Sequence, residues 1–214
     1  DYVGCGGVVG RINRGQIADC INIGEVNVAD YGNAGGIVGY TNGGNVTVCS
    51  CYSVGAVTAE NNLKAGGICG TIKSDSPTFE NCYYSDSLGL KVVGSGEGTI
   101  NNTTPKAAAQ FADGTVLELL INGRAEGEHP WDTDCSSKQL TAGGPRLPVL
   151  AWQNLATNHE DTDKDHLCDY CEKAISNHED TNKDHICDYC EKVISNHTGG
   201  VATCVGKAKC TFCG

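Results

Sequence analysis

GGVVG (6–10), GGIVG (35–39) and GGICG (66–70) recur in the first part of the chain at offsets of 29 and 31 residues. Each is followed by a turn-rich stretch and then by DCINIGEV (19–26), SCYSVGAV (50–57) or NCYYSDSL (81–88). Cys20, Cys51 and Cys82 stand 31 residues apart twice, and Gly24 and Gly55 are also 31 apart. One such unit is too short to close a core alone, so its apolar face must be buried on its neighbours. Within each copy the apolar positions alternate, which is the period of a strand rather than a helix. Ile17, Ile21 and Ile23 share one face by this rule, matched by Val48, Tyr52 and Val54 and continued by Phe79 and Tyr83. Glycine pairs allow tight corners between such strands. The expected fold is mainly β: a β-solenoid of about three 31-residue repeats over 1–98. Ile17/Val48/Phe79 and Ile21/Tyr52/Tyr83 are expected to form interior rows.

Simple alternation places Cys20, Cys51 and Cys82 on the face opposite these apolar residues. A turn at the preceding Asp19, Ser50 and Asn81 would reset the parity and send the thiols inward. The inward ladder is favoured, because free cysteine is commonly buried. Rungs about 4.8 Å apart lie within disulfide reach, so a reduced packing ladder, disulfides and metal all stay open. Cys5, Cys49 and Cys69 are less regular and are not placed by the pattern.

The paired elements G-G-[IV]-[VC]-G and N/S/D-C-Y resemble the GLUG-motif repeats of bacterial surface proteins over about residues 4–88. That family includes IgA-specific metallopeptidases and adhesin-like proteins of gut bacteria. The resemblance implies an elongated, surface-exposed module, extracellular or on the cell surface, with no catalytic residue of its own.

Composition agrees with a repetitive chain. With 29 Gly, 14 Cys and only 3 Phe among 214 residues, a large single core is disfavoured. The net charge of −11 argues against nucleic acid as a partner, since phosphate recognition needs clustered Lys and Arg. No apolar run approaches the length of a transmembrane helix. There is no methionine and no signal peptide, and the chain reads as an internal segment of a longer protein.

Residues 99–153 read as a short α/β cap over the open end of the solenoid. Thr104-Pro105 offers a helix start, KAAAQFA follows, and Asp113-Gly114 breaks it. Thr115-x-x-Glu118 looks like a capping box opening a second helix, TVLELLIN, with Leu117, Leu120 and Ile121 on one stripe and Gly123 at its end. LPVLAW (147–152) reads as a short edge strand.

The tail, 154–214, is a metal- or disulfide-stabilised irregular segment built on a second repeat. HEDTDKDHLCDYCEKAISN and HEDTNKDHICDYCEKVISN follow each other at a 19-residue period, and residues 158–197 carry 11 Asp/Glu against 4 Lys. Asp161, Asp163, Asp165, the Leu167 carbonyl, Asp169 and Glu172 fall at positions 1, 3, 5, 7, 9 and 12 of a calcium loop. Asp180, Asn182, Asp184, Ile186, Asp188 and Glu191 repeat the series. Position 6 is His166 or His185 instead of glycine, and the spacing is too short for paired EF-hand helices. The loops resemble the helix-less Excalibur or thrombospondin type 3 kinds. A solvated acidic linker is the plain alternative.

The thiols point to zinc as a second metal. Cys168-x2-Cys171 and Cys187-x2-Cys190 match a four-cysteine site. Alternatively each pair holds its own zinc, completed by His159, His166, His178 or His185. His197, Cys204, Cys210 and Cys213 form a further set. Disulfides or unligated thiols remain alternatives. The expected cofactors are therefore calcium, zinc or both, on different atoms.

Enzyme motifs fail where they are sought. His159-Glu160 is followed by Asp163, and His178-Glu179 by Asn182, where HExxH needs a second histidine. There is no GxSxG, and GSGEG (94–98) lacks a strand-to-helix setting. The expected function is a non-catalytic stalk or adhesion module with a metal-binding tail, whose partners are host or surface proteins or glycans. The alternative is an accessory region of a larger secreted hydrolase such as an IgA-specific metallopeptidase.

Overall fold

The computed structural model describes residues 3–29, 32–60, 64–73, 76–125, 127–133, 137–139, 144–153, 161–168, 181 and 186–191. It divides into two compact units, Asp1–Asn154 and Leu155–Gly214.

The first unit is mainly β, made of stacks of short parallel strands. The first repeat gives β1 (Gly4–Gly6), β2 (Val9–Ile12), β3 (Gly15–Ala18), β4 (Ile21–Asn22) and β5 (Val26–Val28). The second gives β6 (Asn33–Gly35), β7 (Val38–Thr41), β8 (Val46–Cys49), β9 (Tyr52–Ser53) and β10 (Val57–Ala59). The third gives β11 (Ala65–Gly66), β12 (Cys69–Ile72), β13 (Thr78–Glu80) and β14 (Tyr83–Ser85). A further set, β15 (Val93–Ser95), β16 (Thr99–Asn101) and β17 (Thr104–Lys106), adds a fourth layer. Each stack pairs equivalent strands of successive repeats: β1-β6-β11, β2-β7-β12-β15, β3-β8-β13-β16, β4-β9-β14-β17 and β5-β10.

The register follows the sequence repeat. Ile17 pairs with Val48 and Val48 with Phe79, and Ile21 pairs with Tyr52 and Tyr52 with Tyr83. Only the first of these rows is interior. Ile17, Val48 and Phe79 join Cys51 and Cys82 in one buried cluster with Ile37, Ile68 and Tyr84. Tyr52 and Tyr83 belong to a different cluster, with Phe111, Leu117, Leu120 and Trp131. The cause is the turn between the rows. Asp19, Ser50 and Asn81 adopt left-handed φ values of 52°, 51° and 50°. That reset turns the following cysteine inward, as expected, and by the same step turns the next residue outward. Alternation then returns Asn22, Ser53 and Tyr84 to the interior, where the Asn22 amide donates to Ser53 Oγ at 3.2 Å.

Each inward thiol is held locally. Cys20, Cys51 and Cys82 donate to the carbonyls of Ala18, Cys49 and Glu80, two residues back, at 3.1–3.3 Å. The fourth layer keeps the geometry without the thiol. Asn102 takes φ 46°, and Thr103 Oγ1 donates to the Asn101 carbonyl at 3.0 Å. All three cysteines are free thiols. A hydrogen bond with Cys51 and then burial push the Cys20 thiol far above its usual range. Burial pushes Cys69 up to about 12. Thiolate is the reactive form, so these groups should be inert at neutral pH. In the folded protein Cys51, Cys69 and Cys82 are expected to resist iodoacetamide while the half-buried Cys49 labels. Peptide mapping that finds all four modified alike would contradict the ladder.

The corners explain the glycine pairs. Gly6, Gly35 and Gly66 stack in register, and a Cβ on each would collide with the carbonyl of Val9, Val38 or Cys69. The obstacle is backbone, so it cannot swing aside. Gly35→Ala is expected to destabilise the unit by about 2–4 kcal/mol, in the range of overpacking plus backbone displacement. A denaturation midpoint equal to that of the parent chain would show that the corner can relax.

The segment after the strands differs from expectation at its start. Thr104-Pro105 opens no helix; Thr104–Lys106 is β17, paired with β14. Helix α1 spans Ala108–Ala112, with the Ala107 N–H donating to Gln110 Oε1. Helix α2 spans Thr115–Ile121. Thr115 is its first residue rather than its cap; Gly114 precedes it, and the Thr115 N–H is taken by Asp113 Oδ1 at 2.9 Å. Of LPVLAW, only Leu147 lies in a strand, β19 (Arg146–Leu147), antiparallel to β18 (Lys138–Gln139), while Leu150 bridges to Trp131.

This segment covers the outward tyrosine row. Tyr52 lies 5.5 Å from the Phe111 ring and 5.9 Å from that of Trp131. Its hydroxyl donates to the Pro148 carbonyl at 2.6 Å. Arg124 reaches Asp19 Oδ1 with both terminal nitrogens at 2.9 Å and Ser50 Oγ at 3.2 Å. Trp131 Nε1 donates to the same Asp19 oxygen at 2.8 Å. These contacts reach the first and second repeats, and Tyr83 of the third joins the same buried cluster. The boundary expected at residue 98 falls between β15 and β16, inside the strand stacks.

Candidate metal centre

The second unit brings together two sets of metal-ligating side chains. The first is the carboxylate loop. Asp161, Asp163 and Asp165 place carboxylate oxygens within 4.8 Å of one another. Backbone N–H groups hold them in place. Asp161 accepts from Asp165 and His166, each at 2.9 Å, Asp163 from Asp165 at 3.2 Å, and Asp165 from Leu167 at 2.8 Å. The chain turns this sharply because Lys164 and His166 take left-handed φ values of 58° and 68°. His166 thus adopts the conformation for which glycine was expected, at a cost of roughly 1–2 kcal/mol. Three convergent carboxylates suit a hard cation that takes oxygen ligands.

The rest of the calcium series is only partly placed. Asp169, Glu172, Asp180, Asn182 and Asp184 lie outside the described residues. Asp188 and Glu191 are exposed, and neither joins the Asp161–Asp165 group. Asp188 instead accepts the Thr181 N–H at 2.7 Å, which holds its carboxyl below the usual range. The Glu191 N–H donates to the Cys187 carbonyl at 2.9 Å.

The second set is sulfur and imidazole. His166, Cys187 and Cys190 place one ligand atom each within 4.8 Å of one another. His166 Nε2 lies 3.3 Å from Cys187 Sγ, and both residues are buried. Tyr189 locks the arrangement across the two repeats. Its ring meets His166 edge-on at 5.3 Å, Lys164 Nζ lies 5.7 Å from its centre, and its hydroxyl donates to the Asp161 carbonyl at 3.2 Å. Soft thiolate and borderline imidazole donors fit zinc far better than calcium.

Of the zinc candidates, Cys168, Cys187 and Cys190 are described, the first two almost fully buried. Cys168 is not in the group with His166. Cys171, His178, His197, Cys204, Cys210 and Cys213 lie outside the described residues, as do His159 and His185. Sequence spacing marks the paired CxxC motifs but leaves four histidines equivalent. Of these His166 lies among the described residues, and its left-handed turn in the acidic loop is something no ligand-spacing rule contains. Among the described residues no helix is long and apolar enough to cross a membrane.

No protein-family model and no curated protein matches the chain. Among solved structures it is similar to the crystal structure of a putative immunoglobulin A1 protease from Bacteroides ovatus, at 21% sequence identity with a TM-score of 0.49. The match covers 71% of this chain and 54% of that one, so this chain spans about half the length of its neighbour.

Proposed function

We propose that this chain is a non-catalytic structural and adhesion module of a secreted or cell-surface bacterial protein. In this reading the parallel stacks form a β-solenoid and the tail binds metal. The observation that carries it is the register: equivalent residues of successive repeats pair one to one, so a surface motif on one strand recurs on the next at the strand spacing of about 4.8 Å. Such a repeated, stiff face suits a spacer or a binder of extended partners, host or surface proteins or glycans. The GLUG-like motifs point the same way. The test is direct. Displayed on a non-adherent bacterium, the chain should confer attachment to glycan- or matrix-coated surfaces, and the purified chain should cleave neither peptide nor glycan. Hydrolysis abolished by a single substitution would overturn the reading.

The tail supplies ordering by metal, calcium through the carboxylates and zinc through the thiols. The two losses should be separable. Asp163→Ala with Asp184→Ala, which leaves the Asp161 bond to the His166 N–H in place, is expected to abolish calcium-dependent protease resistance and leave zinc content unchanged. Cys168→Ser with Cys187→Ser should lower zinc content and spare the calcium effect. Equal proteolysis with chelator, calcium and zinc would identify a plain acidic linker.

A further inference from the structure

We infer that His166, Cys187 and Cys190 bind a single zinc-class ion that ties the two tail repeats together, with one ligand from the first repeat and two from the second. This deepens the metal-binding reading of the tail and rests on it. The four-cysteine site suggested by spacing would pair the two CxxC motifs symmetrically. Among the described residues the histidine of one acidic loop instead meets the thiols of the next repeat, which makes the site asymmetric.

Three observations support the assignment. Zinc bonds of about 2.3 Å to sulfur and 2.0–2.1 Å to nitrogen put tetrahedral S and N ligands about 3.6 Å apart. The 3.3 Å between His166 Nε2 and Cys187 Sγ is close to that separation, so this pair already stands near ligand spacing. The second observation is burial. A lone Cys–His contact could also be a nucleophile with its base, but Cys187 is fully buried and a nucleophile must meet its substrate. A structural zinc is shielded in the same way. The third is the second thiol. Cys190 converges on the same point, which a catalytic dyad does not require and a metal does.

The chemistry balances simply. Both thiols lose their protons on binding, neutral imidazole donates through Nε2, and the dication replaces the two protons released. One tetrahedral position is left for a further donor.

Cadmium-113 NMR of the full chain, loaded with cadmium in place of zinc, tests the site. A resonance in the mixed sulfur–nitrogen range is expected. It should vanish in His166→Asn and Cys187→Ser and persist in Cys168→Ser. Asparagine tolerates the left-handed turn and preserves the loop, so loss of the signal reports on the ligand and not on the fold. His166→Cys should restore binding with the resonance moved towards the all-sulfur range. A four-sulfur resonance abolished by Cys168→Ser and indifferent to His166→Asn would overturn the inference and leave the tail a metal site. If no cadmium or zinc binds at micromolar concentration, both readings fail.

Discussion

Val48→Asp is expected to abolish cooperative folding of the first unit. Val48 has no exposed surface and sits between Ile17 and Phe79 in the interior row. The aspartate would be surrounded by Cys51, Ile37, Ile68 and their neighbours, with no cationic side chain in that cluster. Burying an unpaired polar or charged group costs several kcal/mol, about 4–5 or more where the group stays ionised. A domain's whole stability is only about 5–15 kcal/mol. Because the interior row of each repeat is buried on the rows of its neighbours, failure at the middle rung propagates both ways. Urea titration followed by circular dichroism should show no sigmoidal transition, while Val48→Ile should fold. A Val48→Asp midpoint near that of the parent would mean the row faces solvent.

How much of this was legible depends on which physical rule each residue obeys. The row Ile17/Val48/Phe79 follows from period and offset alone, and the structure reproduces it pair by pair. The inward turn of Cys20, Cys51 and Cys82 follows from the turn-forming residues before them, and the positive φ values bear it out. The same turn makes it impossible for Ile21, Tyr52 and Tyr83 to be interior as well. Period-2 counting across a left-handed residue loses one step, which is why both rows were expected on one side. The fourth layer escaped notice because Thr103 replaces the cysteine after 21 residues instead of 31. Its hydroxyl makes the same backbone bond, so the geometry persists where the motif has gone. In the tail, the carboxylate alternation of Asp161, Asp163 and Asp165 is local and could be read directly. The pairing of His166 with the next repeat's thiols is tertiary and could not.

The misplaced tyrosine row carries the second large prediction. An aromatic row on the outside of a strand stack is a liability unless something covers it, and Phe111, Leu117, Leu120, Trp131 and Leu147 are what cover it. Tyr52 is the centre of that contact: it has no exposed surface, touches Phe111 and Trp131, and its hydroxyl holds the Pro148 carbonyl. Tyr52→Ala removes the ring and the hydrogen bond together and is expected to cost about 3–5 kcal/mol. The Arg124–Asp19 ion pair is partly exposed and cannot offset a loss of that size. The strand stacks should survive, because Ile17, Val48 and Phe79 lie in a different cluster. The expected phenotype is therefore partial: strand circular dichroism retained, the covering segment cleaved by protease, and Trp131 emission shifted to the red. Trp152 is already 75% exposed and contributes a constant background. Tyr52→Phe, which keeps the ring, should cost only about 1–2 kcal/mol and leave the segment docked. If Tyr52→Ala instead unfolds strands and segment in one transition, the segment is part of the fold's only core, and a truncation after Lys106 should then be unable to fold at all.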